Sequence, residues 1–229
     1  MWSADVETLL GERSGRRVRI LLTGFGRFPG APANPSAAIV AEIAHAGRRR
    51  LDRCGIDLIA AILPVDFDAI GEELARHLAA AEPDAVLHLG LAARRPALSV
   101  ETRAKNRLSQ LHPDAAKRRP ALPTVLAGAP EQRNVRLPVM RLAVAMGRAG
   151  ALTRLSNDAG AYVCNAALYL SLGAATPLVG FVHVPWPRPA NRPLSRRRTA
   201  PVRPSFAAMV TAVTAALMLV GAQARRNRR

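Results

Sequence analysis

The 229 residues carry 33 Lys and Arg against 16 Asp and Glu, a formal charge of +17, and 49% of them are hydrophobic. That length and apolar content suit one α/β domain with a sizeable core; two cysteines, Cys54 and Cys164, exclude a disulfide framework and, without a Cys/His pair at zinc spacing, a metal site. The N-terminus, MWSADVETLLGERSGRR, is partly acidic and lacks an apolar run, so it does not read as a secretory leader, and a cytoplasmic location is expected.

Only Lys105 and Lys117 are lysines, so the positive charge is nearly all arginine, gathered at Arg13–Arg17, Arg48–Arg53, Lys117–Arg119, Arg192–Arg203 and Arg225–Arg229. Such a field attracts polyanions, which keeps a non-catalytic binding protein for nucleic acid or acidic membrane as one alternative. The runs lie at termini and expected loops, with little aromatic interleaving and no nucleic-acid-binding signature. A solvated arginine-rich surface with no specific nucleic acid partner is the preferred reading.

Residues 1–16 read as a polar extension, and 17–229 as the α/β domain. Val18–Thr23 is the first strand, followed by Gly24-Phe25-Gly26-Arg27-Phe28-Pro29-Gly30, whose aromatics can face a pocket at the strand's carboxyl end. The glycine spacing there does not match a dinucleotide fingerprint, and no cofactor is expected. Asn34-Pro35 supplies an N-cap and a first-turn proline for a helix to about Gly47. Ile56–Leu63 is a second strand, and Phe67–Ala81 a helix with Ile70, Leu74 and Leu78 on one face. Ala85–Leu89 is a buried parallel strand ending at Gly90-Leu91-Ala92-Ala93-Arg94-Arg95, and Leu98–Thr102 alternates like an edge-ward strand carrying Glu101.

Residues 106–137 form a long surface excursion of the kind that covers substrate. Pro138 opens a helix over Val139–Gly147, and Ala151–Leu155 is a strand end. A polar turn containing Gly160 leads into a helix from about Tyr162 to Leu172. Pro177–Val184 is a further buried strand, 188–204 a Pro/Arg linker, and Phe206–Ala222 a docked C-terminal helix, too short and too diluted by Thr and Ala for a membrane span. Alternating strands and helices predict a single open α/β/α sandwich with a mostly parallel mixed sheet, its ligands bound at the strands' carboxyl ends.

Cys164 falls near the start of a helix, where free N–H groups and the dipole favour thiolate; the rival reading is a small buried hydrophobe. A cysteine nucleophile needs a base, and His183, at the end of an apolar strand, is best placed to face a cleft. His45 and His77 sit in helical patterns, His88 reads as a satisfied core histidine, and His112 as solvated. Glu101, between apolar neighbours, is the acid best placed to orient an imidazole, against an ordinary pair with Arg103; Asp114 and Asp158 rank lower.

In this order the stretches resemble the pyroglutamyl peptidase I (pyrrolidone-carboxylate peptidase) family of cysteine peptidases. Thr23–Phe28 resembles its TGFxxF loop, Asn34-Pro35-Ser36 the following Asn-Pro, and Val100–Asn106 the segment of its catalytic glutamate. Ser156–Asn165 resembles its SNxAGxxxCN nucleophile motif, and Gly180–Pro185 its histidine segment. The resemblance implies a Cys164–His183–Glu101 triad, no metal or cofactor, a homo-oligomer (tetramer or dimer), and release of N-terminal pyroglutamyl residues from peptides through a thioester. It implies a neutral pocket of Phe25, Phe28, Tyr162 and Val163 beside Leu91, and backbone N–H groups, with Arg95, at the oxyanion. Leu91-Ala92-Ala93-Arg94 stands where the family shows Gln-Ala-Gly-Gly, and Ala161-Tyr162 where it shows Thr-Phe, the tyrosine adding a hydroxyl that needs a partner if buried. A related amidohydrolase with altered N-acyl specificity is therefore the near alternative.

Overall fold

The computed structural model describes residues 16–189 and 202–228; the expected N-terminal extension, apart from Arg16, and the centre of the 188–204 linker lie outside the described residues. The strands are β1 (Val18–Phe25), β2 (Ile56–Leu63), β3 (Ala85–Leu91), β4 (Leu98–Glu101), β5 (Arg103–Lys105), β6 (Gln132–Asn134), β7 (Thr153–Ser156) and β8 (Leu178–Val184). β1 sends Val18, Ile20 and Leu22 to one side and Leu21 and Phe25 to the other, all buried. Strands apolar on both faces require a sheet covered on both sides.

That sheet has six strands in the order β2-β1-β3-β8-β4-β7. β2, β1, β3 and β8 are mutually parallel, whereas β4 runs antiparallel to β8 and parallel to β7. It is the mixed, mostly parallel sheet the sequence predicts. One strand is placed differently: β4 is interior, with Leu98 to Glu101 all buried, and β7 takes the edge. Its alternation misleads because its polar residues, Ser99 and Glu101, face a covered site rather than solvent.

Asn34 caps α1 (Pro35–Glu42) as expected, its side chain accepting from the Ser36 N–H. The helical path continues past Gly47 through a π-helical turn (Ile43–Gly47) into α2 (Arg48–Arg53). α3 (Ile70–Ala81), α4 (Val139–Arg148), α5 (Val163–Gly173) and α6 (Phe206–Asn227) complete the set. Side chains of α1, α4 and α6 pack with one sheet face, those of α3 and α5 with the other. α6 has 22 residues and is long and apolar enough to cross a membrane by length and composition. Its Met209, Ala212, Val213, Ala216, Leu217 and Val220, at helical spacing, are fully buried in the core.

The long excursion is tied to the site face at several points. Ser109 N–H donates to the Ala161 carbonyl at 2.7 Å and Ala115 N–H to the Val65 carbonyl at 2.9 Å. Fully buried Asp114 accepts from Phe67 N–H at 3.1 Å and Arg118 N–H at 2.8 Å, which gives this acid a loop-anchoring place. Asn165, also fully buried, exchanges hydrogen bonds with the backbone of Lys105 and Arg107, fixing α5 against β5.

Candidate active site

Gly160, at φ +86°, makes a left-handed turn that glycine adopts at little cost, and extended Tyr162 then caps α5. Cys164 is the second residue of the helix, where backbone N–H groups have no intrahelical acceptor. Its sulfur lies directly over β3: a Cβ built on Gly90 would stand 2.8 Å from Cys164 Sγ and 2.7 Å from Phe181 Cζ. Gly90 pairs in register with His183 on the neighbouring parallel strand, so the imidazole emerges on the same face as that sulfur.

The acid arrives from the antiparallel side. Ser99 of β4 is the register partner of His183, and Glu101, two residues on, shares its face at diagonal distance. Glu101 Oε1 and His183 Nδ1 are 2.7 Å apart, with the carboxylate wholly buried and the histidine nearly so. Burial, the largest influence, would raise the Glu101 pKa; His183, Ser156 and Arg95 together outweigh it and hold the carboxyl below its ordinary range. The Phe181 ring stands 4.6 Å from the imidazole, centroid to centroid, and fixes its tilt by packing.

The thiol does not behave as its helix position predicts. Burial first, and then the Glu101 charge, push Cys164 up to about 12, against the weaker pull of its own backbone N–H. Desolvation and the Glu101 charge together thus exceed what one helix terminus supplies.

Phe28, Tyr162 and Phe67 form an aromatic cluster next to Cys164, with centroid separations of 6.1 Å (Phe28–Tyr162) and 5.3 Å (Phe67–Tyr162). The Tyr162 hydroxyl finds the partner it needs, donating to the Pro113 carbonyl at 2.8 Å. Burial, with Asp114 and Cys164 adding to it, raises that phenol to about 12, so it stays a donor. Phe25 and Val163, expected in the pocket, are buried on the sheet face of Cys164: Phe25 is 1% exposed, packed 6.3 Å from Phe181, and Val163 is fully buried. Half-buried Leu91 ends β3 and pairs in register with Val184, on the sheet face of Leu87 and Leu89 and away from Cys164, so its side chain does not join the expected pocket. Arg95, expected at the oxyanion, is engaged elsewhere, with Glu101 and the Asp158 carbonyl.

His88 is the satisfied core histidine the sequence suggests, bridging Thr23 Oγ1 at 2.7 Å and Ser171 Oγ at 2.8 Å; complete burial lowers it to about 3, so it is neutral. His45 and His112 are exposed, and His77 is half-buried beside Glu73. Asp158 is half-exposed and pairs with Arg107 and Lys105. Sequence reasoning passed over Gly90, Phe181 and Phe67. A glycine inside a strand signals close backbone approach, and Phe181 lies two residues from His183 on one face, so both were findable. Phe67 gives no local signal beyond following a strand's carboxyl end.

The Gly90 contact yields a direct expectation. Gly90→Ala puts a methyl where the sulfur and a packed ring already are, and a displacement of roughly 1 Å at a reacting atom costs on the order of 100-fold in rate. We expect a folded variant, destabilised by about 1–3 kcal/mol from overpacking, with kcat/KM reduced about 100-fold. Thermal melts and amidase kinetics on the same preparation check both.

A mostly parallel α/β sheet whose strand ends gather a thiol, an imidazole and a carboxylate is the framework of a cysteine-type hydrolase. The chain belongs to the pyroglutamyl peptidase family, whose model matches residues 18–223. Among curated relatives, the pyrrolidone-carboxylate peptidase of Thermococcus kodakarensis is 34% identical over 174 residues, 74% of this chain and 82% of its own. That of Pseudomonas fluorescens is 32% identical over 204 residues, 87% of this chain and 91% of its own. Among solved structures, pyrrolidone carboxyl peptidase from Thermus thermophilus superposes with a TM-score of 0.71 at 37% identity, covering 87% of this chain and 98% of that one. A mutant pyrrolidone carboxyl peptidase from P. furiosus gives 0.75 at 26%, covering 90% and 99%.

Proposed function

We propose that this chain hydrolyses the amide bond after an N-terminal pyroglutamyl residue, with Cys164 as nucleophile, His183 as general base and then acid, and Glu101 as the group that orients His183. One juxtaposition carries the reading: a sulfur over Gly90, the register partner of an imidazole whose Nδ1 is 2.7 Å from a buried carboxylate. With Nδ1–H held by Glu101, the other nitrogen, Nε2, is left unprotonated and available to the thiol.

The reaction follows from these parts. As Sγ attacks the pyroglutamyl carbonyl, its proton passes to His183 Nε2, because the thiol is not ionised in advance. The developing oxyanion meets backbone N–H groups at the start of α5. His183 then returns the proton to the departing amine, leaving a thioester. Water, deprotonated by the same nitrogen, releases pyroglutamate and restores the thiol. The aromatic cluster of Phe28, Tyr162 and Phe67 suits a compact neutral ring; a charged α-amine would be desolvated there without a counter-charge, a costly step.

The second reading, altered N-acyl specificity, rests on Leu91-Ala92-Ala93-Arg94 at the end of β3 and in the turn after it, in place of the Gln-Ala-Gly-Gly of the family. A panel of fluorogenic amides separates the two. Under the first reading the pyroglutamyl amide is cleaved at least about 100-fold faster than the prolyl amide, which differs by one carbonyl and a charge. A reversed order supports the second reading, and cleavage of no amide in the panel removes both.

A further inference from the structure

Arg95 leaves the turn after β3 and spans two parts of the site. Its Nη1 lies 2.6 Å from Glu101 Oε1, the oxygen that also faces His183 Nδ1 at 2.7 Å, and its Nη2 donates to the Asp158 carbonyl at 2.7 Å. Asp158 belongs to the turn that delivers Cys164 to α5. We propose that Arg95 is a positioning residue for the reaction: it locks Glu101 and the nucleophile-bearing turn into one frame, and it sets a fixed positive charge against the Glu101 oxygen that faces His183. The proposal rests on the triad reading given above.

The charges around Glu101 support this. His183 faces it from β8, Arg95 from the β3–β4 turn, and the Cys164 thiol from α5; among the described residues its ion pairs are those with Arg95 and His183. The Asp158 carboxylate, nearby, is already shared by Lys105 and Arg107. Arg95 is 24% exposed and Glu101 not at all, so their charges act through a weakly screening medium. A carboxylate facing only an imidazole would stabilise imidazolium strongly. A guanidinium on the same oxygen offsets that charge. The planar fork adds the geometric part, since its two nitrogens point to Glu101 and Asp158 at once.

The test compares wild type, Arg95→Met and Arg95→Lys in a Cys54→Ser background, which leaves Cys164 as the sole thiol. Two pH profiles are measured: kcat/KM on a pyroglutamyl amide, and the rate of Cys164 alkylation by iodoacetamide, which also needs an unprotonated imidazole. In Arg95→Met the acid limb of both profiles is expected to rise by about one pH unit, while Arg95→Lys keeps the limb near wild type with a lower plateau. Equal loss of rate in both variants with the limbs unmoved would reduce Arg95 to a merely structural tie and overturn the proposal. If wild type leaves the pyroglutamyl amide intact, the substrate assignment falls, and the alkylation profiles still decide the role of Arg95. Arg95→Gln, which drops the charge and keeps a donor, replaces the Met variant if circular dichroism shows that chain unfolded.

Discussion

Cys164→Ala is expected to be inactive on a pyroglutamyl amide, and His183→Ala to lose about 10⁴-fold at pH 8. The second figure follows from the thiol's own ionisation. With its pKa pushed up to about 12, thiolate at pH 8 amounts to roughly one part in 10⁴. Without an imidazole to take the proton during attack, only that fraction reacts. The residual rate of His183→Ala should therefore climb about tenfold per pH unit through the alkaline range, where wild type has levelled off. A pre-formed thiolate would show no such climb, so the pH profile of this variant tests the neutral resting thiol as well as the base. Cys164→Ser belongs in the same series: it keeps a nucleophilic atom, but a hydroxyl is harder to deprotonate than a thiol, and it should be as inactive as alanine.

The next largest effect is expected at Glu101→Gln, where kcat should fall by about 10⁴ with KM little changed. A carboxylate can only accept from His183 Nδ1, which fixes the proton there and leaves Nε2 bare toward the sulfur. An amide of the same shape can donate instead, and an imidazole that accepts at Nδ1 carries its proton on Nε2, where it blocks the transfer. The substitution also removes a buried negative charge opposite Arg95, whose second nitrogen keeps the Asp158 carbonyl. The fold should survive, and circular dichroism together with steady-state kinetics would separate a lost tautomer from a lost structure. A Gln variant with near-wild-type kcat would remove Glu101 from the mechanism.

Much of this molecule can be read without coordinates. The apolar runs at Ala85–Leu89 and Pro177–Val184 mark strands covered on both faces, Val18–Thr23 and Ile56–Leu63 mark further strands, and Asn34-Pro35 marks a helix start by cap chemistry alone. What escaped reading depends on segments distant in the chain. Alternation in Leu98–Thr102 reveals two faces but not what covers them, so an interior strand passes for an outer one. Phe25, between glycines, looks like loop; it is the last residue of β1, paired with Leu63, and its ring is enclosed by Phe181 from another strand. The helix-terminus effect on Cys164 is local and visible in sequence. What outweighs it is burial over the strands of Gly90 and Phe181 together with the charge of Glu101, none of them near Cys164 in the chain.

β4 has a further consequence for how activity is acquired. Glu101 and His183 are 82 positions apart, and the acid faces its partner only after a short strand has been inserted, against the prevailing direction, between β8 and β7. β8 meets both β3 and β4 through pairings of long sequence separation, and each carries a loop-closure cost before it returns any stabilisation. A chain with its four mutually parallel strands in place but this insertion outstanding would possess a sulfur and an imidazole without a working proton relay. Under the proposed mechanism, activity therefore requires β4 in its place in the sheet.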